Sequence, residues 1–178
     1  MCCLVLRIDE ELQKPRDQWC KHALPGNKQG ACSIYETRPG TCKRFKCLWL
    51  EGWLQQDHWQ PQKSRMVLFG ATDDGTPVLK ICVDGKLPNR WREEPYFGQI
   101  KAMSVAGLNR QPKQLTVVFV NADKYLVLGD NLVKNPGNQG HLVQTGPDAW
   151  DFVGPGAASR VAESQNNARM GRFMGLGR

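Results

Sequence analysis

The chain has 178 residues and a net charge of +7, and it is long enough to bury its own core. Its 40% hydrophobic and 23% charged residues are typical of a globular protein. It contains no run approaching the about 18 consecutive apolar residues of a membrane span. The opening stretch MCCLVLRIDEELQ has no basic leader, so we expect a cytoplasmic protein without a signal peptide or a membrane segment.

The first part of the chain, to about Gly52, is rich in loops and holds six of the seven cysteines. In a reducing compartment, clustered thiols bind a metal or carry out redox chemistry more often than they form disulfides. Between successive cysteines of this group lie 0, 16, 11, 9 and 4 residues. Zinc-finger templates place two cysteines about two to four residues apart, and only the last pair comes close to this. The spacing alone therefore indicates a metal site less specifically than a zinc-finger motif would.

A short helix is predicted within the stretch RPGTCKRFKCLWL, residues 38–50. Pro39 suits the first turn, because the amide hydrogen that proline lacks would have no partner there. Cys42 should lie near the N-terminus of this helix, where the helix dipole favours a thiolate. Apolar residues recur at helical spacing and form one face: Phe45, Leu48 and Trp49.

Residues 64–134 predict a compact α+β unit with the order β-β-α-β-β, a small antiparallel sheet with one packed helix. The first two strands turn at Asp74-Gly75, a strong hairpin signal. A helix follows within residues 91–110 and begins after Pro95. The last two strands form a second hairpin that turns at residues 121–123.

Residues 135–178 differ in composition, because Gly and Pro make up 11 of these 44 residues. This composition predicts a flexible tail that follows a cysteine-cluster α+β domain of residues 1–134. Trp150 and Phe152 are candidate anchors for the tail, either on the domain or on a partner protein. The sequence does not determine the oligomeric state.

The positive charge is concentrated among the cysteines, since residues 14–46 carry eight Lys and Arg side chains against two acids. A basic segment near aromatic residues can bind phosphate, and Lys43, Arg44 and Lys46 would then form a nucleic-acid-binding module. However, a metal held by four thiolates is itself an anion, and nearby cations lower thiol pKa values and balance that charge. Because no nucleic-acid-binding motif accompanies the charge, we favour the second explanation.

The N-terminal part contains, in this order, CC, WCKH and ACSIYETRPGTCKRFKCLWL. This arrangement resembles the YkgJ-like cysteine-cluster family, described as zinc- or iron-chelating proteins. Cys2 and Cys3 match the end of the family's first cysteine run, and Cys20 matches the cysteine that follows a tryptophan. The family core C-x-I-Y-x-x-R-P-x-x-C-x-x-F-x-C is matched by three further cysteines: Cys32, Cys42 and Cys47. The resemblance covers roughly residues 2–130.

Two departures from the family pattern bear on the expected ligands. The family run has two more cysteines before the pair matched here, and Ala23 stands where many members have a cysteine. His22 could supply a nitrogen ligand instead. The resemblance implies a zinc or iron site, with an iron–sulfur cluster as an alternative cofactor. The expected metal ligands are Cys20, Cys32, Cys42 and Cys47. Cys2 or Cys3 is expected to complete this set or to replace one of its members.

We therefore expect a metal-binding protein with a structural or metal-handling role. The main alternative is a redox-active iron–sulfur protein that supports electron transfer or a modifying enzyme. No nucleophile elbow, phosphate-binding loop or metalloprotease motif is present, so no catalytic residue is predicted. Arg38 either donates to a thiolate or carbonyl of the metal loop, or belongs to a turn in which Tyr35 packs on the sheet. Cys82 is interpreted as a small buried side chain.

Overall fold

A computed structural model describes residues 1–26, 32–137 and 139–154 of the protein. A five-stranded sheet, a two-stranded sheet and short helices confirm the predicted α+β class. The α-helices are α1 (Cys2–Val5), α2 (Gly40–Arg44), α3 (Pro61–Ser64) and α4 (Tyr96–Leu108). The strands are β1 (Met66–Asp73), β2 (Thr76–Val83), β3 (Leu115–Val120), β4 (Asp123–Leu128), β5 (Asn131–Lys134), β6 (His141–Gln144) and β7 (Trp150–Val153). No helix in the described part of the chain combines the length and apolar character that a membrane span needs.

Both predicted hairpins are present, and their turns contain the residues with positive φ that such turns require. β1 and β2 pair antiparallel around Asp74 and Gly75, whose φ angles are 48° and 80°. Two successive positive φ angles define the tight turn that matches the twist of a hairpin. β3 and β4 pair antiparallel around Asn121, at φ 51°. Helix α4 begins directly after Pro95, as predicted.

The strand directions at the centre of the sheet differ from the prediction, because β2 and β3 are parallel rather than antiparallel. The strand order is β1-β2-β3-β4-β5. Helix α4 connects β2 to β3 and returns the chain to the end of the sheet where β2 began, so β3 runs in the same direction. The sheet therefore consists of two antiparallel parts joined by a β-α-β unit.

The two faces of the five-stranded sheet carry different layers. Helix α4 covers one face, and that core includes side chains with 0% exposure: Ile81, Trp91, Ile100 and Val118. On the opposite face, Val67, Cys82 and Phe119 lie side by side in register on β1, β2 and β3. The N-terminal cysteine-rich segment packs on this second face through its own apolar residues, so the sheet forms the floor beneath the cysteines.

Helix α2 is shorter than the helix predicted within residues 38–50, because it ends at Arg44. Phe45 is extended, with φ −69° and ψ 125°. The Leu48 amide then donates to the carbonyl of Leu68 on β1 at 2.8 Å. Since β1 is an edge strand with free carbonyls, pairing with it competes with further helical turns. Cys47 consequently lies beyond the helix.

Part of the predicted tail is folded, and the described structure continues past residue 134. β6 and β7 form an antiparallel hairpin, and Trp150 is only 5% exposed. Trp150 packs in a cluster with Leu126 and Leu128, and the Asn131 side-chain amide donates to the Trp150 carbonyl at 2.7 Å. Trp150 is thus anchored on the domain, one of the two predicted alternatives. Residues 155–178, the rest of the predicted tail, lie outside the described residues.

Candidate metal centre

All seven cysteines line a single cavity of about 740 Å³ between the N-terminal segment and the sheet. The floor of the cavity is the sheet face that carries Val67, Cys82 and Phe119. The remaining cysteines come from α1, from the loops that follow it and from α2 with the segment after it. Residues distant in sequence are therefore gathered on one wall, and specific contacts hold each segment in place.

Lys14 holds α1 against the loop that follows it. Its side chain is 4% exposed, and its Nζ donates to the carbonyls of Leu4 at 2.8 Å, of Pro15 at 2.9 Å and of Leu6. Carbonyls at the end of so short a helix have no partner within the helix, so the ammonium group replaces water there. Burial lowers the pKa of Lys14, while the negative charge of nearby thiolates opposes that shift.

Backbone hydrogen bonds attach the loop cysteines to α1 and to each other. The Cys20 amide donates to the carbonyl of Cys3 at 2.9 Å. Ala23 forms an isolated antiparallel bridge with Cys32, next to the hydrogen bond from the Ser33 amide to the His22 carbonyl at 2.9 Å. These contacts link the segment that carries Cys20 to α1 on one side and to Cys32 on the other.

Glu11 attaches α2 to the same loop region. Its two carboxylate oxygens accept hydrogen bonds from the amides of Gly40 and Thr41, each at 2.8 Å. These amides are the unpaired donors at the helix N-terminus, and a carboxylate is the group best suited to cap them. The capping hydrogen bonds lower the pKa of Glu11. Cys42, in the first turns of α2, is thereby placed beside the N-terminal thiols.

The thiols influence one another electrostatically. A hydrogen bond from Cys3 and the charge of the N-terminus lower the pKa of Cys2 to about 6, and the same hydrogen bond raises the pKa of Cys3. Burial is the first cause that raises the pKa of Cys42, followed by the negative charges of Cys2, Cys20 and Cys32. Burial and the neighbouring thiolate charges therefore outweigh the lowering of the Cys42 pKa that was expected from the helix dipole. Thiolate charges from α1 and from the loops therefore act on Cys42, and the charges of Cys2 and Cys20 act on Cys3.

Cys2 and Cys82 should differ strongly in their reaction with iodoacetamide when the protein is free of metal. Cys2 is exposed and, with a pKa of about 6, is about nine-tenths thiolate at pH 7. Its alkylation rate should fall as the pH drops through about 6, because only the thiolate reacts. Burial raises the pKa of Cys82 to about 11, so this thiol should remain unmodified. Mass spectrometry of timed samples measures both rates.

The control for this experiment is the same reaction in concentrated urea, where both thiols should react at similar rates. Equal rates for Cys2 and Cys82 in the folded protein would contradict the prediction.

The structure places the six predicted ligands unequally. Cys2, Cys3, Cys20, Cys32 and Cys42 surround the cavity with partly accessible side chains, whereas Cys47 is 4% exposed in an apolar cluster. Cys82 is 2% exposed in that same cluster, which confirms its interpretation as a buried side chain. Among the described residues, no three His, Cys, Asp or Glu side chains are close enough together to hold a metal ion.

The donor chemistry nevertheless suits a thiophilic ion. Thiolates and imidazole are the ligands that zinc and iron take in closed sites, and the cavity wall carries five accessible cysteines together with His22. Because these side chains do not form a closed ligand set here, binding requires the cysteine-bearing segments to move closer together. Residues 27–31, between Ala23 and Cys32, lie outside the described residues.

Arg38 contacts the turn that precedes α2, and its donation to a metal-binding loop stays a prediction. Its Nη1 donates to the backbone carbonyl of Tyr35 at 2.8 Å, and its guanidinium lies 3.9 Å from the centre of the Tyr35 ring. Tyr35 is 58% exposed, so the expectation that it packs on the sheet is wrong. The ring is instead covered by Arg38 at the rim of the cavity.

The residues that assemble the site carry no signal in the sequence. Glu11 and Lys14 join α1, α2 and the loop between them, yet neither belongs to a recognisable motif. Glu11 lies 29 and 30 residues from the amides that it caps, so no local pattern reports the contact. In the sequence, Lys14 and Arg16 contribute only to the positive charge near the cysteines.

Comparison with family models, with curated proteins and with solved structures finds no match for this chain. The resemblance to the YkgJ-like family therefore rests on the motif residues named above and stays a prediction.

Proposed function

We propose that this protein binds a zinc or iron ion through its N-terminal cysteines, in a structural or metal-handling role. The observation that carries the proposal is the gathering of Cys2, Cys3, Cys20, Cys32 and Cys42 on the wall of one cavity, where charges of neighbouring thiolates raise the pKa values of Cys3 and Cys42. Neutral thiols gain little from such proximity, whereas a cation stabilises several neighbouring thiolates at once.

The surroundings of the thiols support the proposal. Among the described residues that line the cavity are six Lys and Arg side chains and no Asp or Glu. These cations balance the negative charge of a centre with four thiolates, the explanation that the sequence analysis favoured. The ligands would come from the five accessible cysteines, with His22 as a nitrogen donor, and Cys47 would support the site from the apolar cluster. A bound ion with a closed ligand set would add folding free energy to a segment that has few apolar residues.

Metal analysis after purification without oxygen tests the proposal directly. We expect close to one equivalent of zinc or iron per chain, with no loss on extended dialysis because structural thiolate sites bind tightly. Acid-labile sulfide and visible absorption should be measured on the same sample. Zinc without colour supports a structural or metal-handling site. Iron with matching sulfide identifies a redox-active cluster, the alternative that the resemblance allows.

The control is the same protein treated with a thiol-blocking reagent in urea and then refolded, which should bind no metal. Metal-free protein that also fails to take up zinc, iron or an assembled cluster would contradict the proposal.

A further inference from the structure

The cavity is much larger than a metal site requires. A four-coordinate zinc ion with thiolate ligands at about 2.3 Å fills only a small part of such a volume. At about 740 Å³, the cavity instead falls within the range of about 300–1,000 Å³ that is typical of pockets for small molecules.

The part of the cavity nearest the sheet is apolar. Phe69 and Phe119 line it from the strands, and Leu6 and Phe45 line it from the N-terminal segment. Phe45 and Phe69 meet edge to face, with their ring centres 5.2 Å apart. Aromatic and aliphatic walls of this kind bind the apolar body of a ligand, because its burial removes apolar surface from water.

Arg16 provides a positive charge at this apolar end. Its guanidinium carbon lies 4.3 Å from the centre of the Phe119 ring, and its Nη1 lies 3.7 Å from the Cys82 sulfur. The charge of Arg16 acts on the neighbouring Asp17, but no ion pair of Arg16 with a carboxylate is formed among the described residues. A guanidinium over an aromatic ring still has further N–H donors besides the one near Cys82, and these can bind a planar anion.

The rest of the charged lining favours an anion as well. Besides Arg16, five cations line the cavity: Arg7, Arg38, Lys43, Lys46 and Lys80. Two of these cations are already paired, Arg7 with Asp9 and Lys80 with Asp73, and neither carboxylate lines the cavity. Lys80 lies beside Phe69 in the strand register. Cations over an apolar surface, without a carboxylate among the described lining residues, are complementary to a negatively charged ligand with an apolar body.

From these features we propose that the cavity binds a small carboxylate with an apolar body, such as a medium-chain alkyl or aryl carboxylate. Its apolar body lies against Phe69 and Phe119, and its carboxylate pairs with Arg16. None of these three residues is a proposed metal ligand, but the cysteines line the same cavity, so the metal content is measured on every sample that is tested for carboxylate binding.

Competition with a fluorescent anion tests the inference. The protein as purified is titrated with 8-anilinonaphthalene-1-sulfonate, and the bound dye is then displaced with decanoate or with decanol, which has a similar body without the charge. We expect one saturable site, displacement by decanoate and at least about tenfold weaker competition by decanol, because a charge-assisted pair contributes about that factor. Arg16→Gln should weaken decanoate binding by a similar factor.

Arg110→Gln is the matched control, because Arg110 is an exposed arginine outside the cavity that contacts Gln114. It should bind decanoate like the unmodified protein. Equal competition by decanol, or unchanged decanoate affinity of Arg16→Gln, would overturn the inference. If Arg16→Gln does not fold, the salt dependence of the unmodified protein decides the question: decanoate affinity must fall with rising ionic strength while decanol affinity does not. Metal content of the same samples tests the metal proposal separately.

Discussion

Cys20→Ser is expected to abolish the proposed metal binding and to destabilise the N-terminal segment, whereas Cys82→Ala should bind metal like the unmodified protein. Cys20 is central among the accessible thiols, since its charge raises the pKa values of Cys3 and Cys42 and its amide is bonded to the Cys3 carbonyl. Even partners outside the first coordination shell change metal affinity by about 10- to 100-fold, so the loss of a thiolate ligand should reduce it by more.

The stability of the two variants should differ in parallel with their metal content. Structural zinc contributes apparent binding free energies of about 10–16 kcal/mol in small zinc domains. Because a typical protein is stable by about 5–15 kcal/mol, losing even part of this contribution removes a large fraction of the stability. Cys82→Ala removes one sulfur from a well-packed cluster and should cost only about 1 kcal/mol. Thermal unfolding of the purified variants, with metal determined on the same samples, measures both quantities.

Hydrogen exchange locates the effect within the chain. In Cys20→Ser, and in the unmodified protein after treatment with a chelator, the amides of Cys20, Ala23 and Ser33 should lose protection. The amides of β2 and β3 should keep it, because their pairing and the α4 core do not involve the cysteine-rich loops. Equal metal content in Cys20→Ser and Cys82→Ala would contradict the assignment of Cys20 as a ligand.

Trp91→Ala should destabilise the domain by about 3–5 kcal/mol, the usual cost of removing a fully buried tryptophan side chain. Trp91 has 0% exposure and lies where the chain enters α4. Its ring centre is 5.9 Å from that of Phe97 and 5.4 Å from that of Tyr125. Alanine would lose these contacts and leave a cavity on the face of the sheet opposite the cysteines.

Trp53→Ala is the matched control for this substitution, because Trp53 is 77% exposed and its removal should change the free energy of unfolding by less than about 0.5 kcal/mol. Urea denaturation followed by circular dichroism compares the two variants. The loss in Trp91→Ala should persist after treatment with a chelator, since the α4 core is separate from the cysteine cavity. A similar loss in both tryptophan variants would show that the α4 core is not the main source of stability.

The first hairpin and the start of α4 were predictable because the preferences of one or two adjacent residues define them. Asp74-Gly75 defines a tight turn from the conformational preferences of two adjacent residues, and the positive φ angles confirm it. Pro95 precedes a helix for a similarly local reason, since a proline suits the start of a helix and disrupts its interior. The burial of Cys82 was predictable because it lies inside an apolar strand, and its neighbours Ile81 and Val83 are buried as well.

The errors have one physical origin, which is competition from contacts distant in sequence. Helix α2 ends early because Leu48 pairs with Leu68 on the edge strand. The parallel pairing of β2 with β3 depends on how α4 crosses the sheet, and strand composition does not encode that direction. The β6–β7 hairpin is ordered because Trp150 finds an apolar cluster on the main sheet, despite the many Gly and Pro residues around it.

The sequence by itself determined the α+β class, both hairpins, the position of α4 and the identity of the cysteines as the chemically distinctive residues. Only the tertiary structure decided which cysteines face one another. Glu11 and Lys14 join segments that are separate in sequence, so that Cys2, Cys20 and Cys42 share one wall while Cys47 is buried beneath it. Composition and spacing report which side chains are present, whereas the distances between them are set by backbone hydrogen bonds and packing over tens of residues.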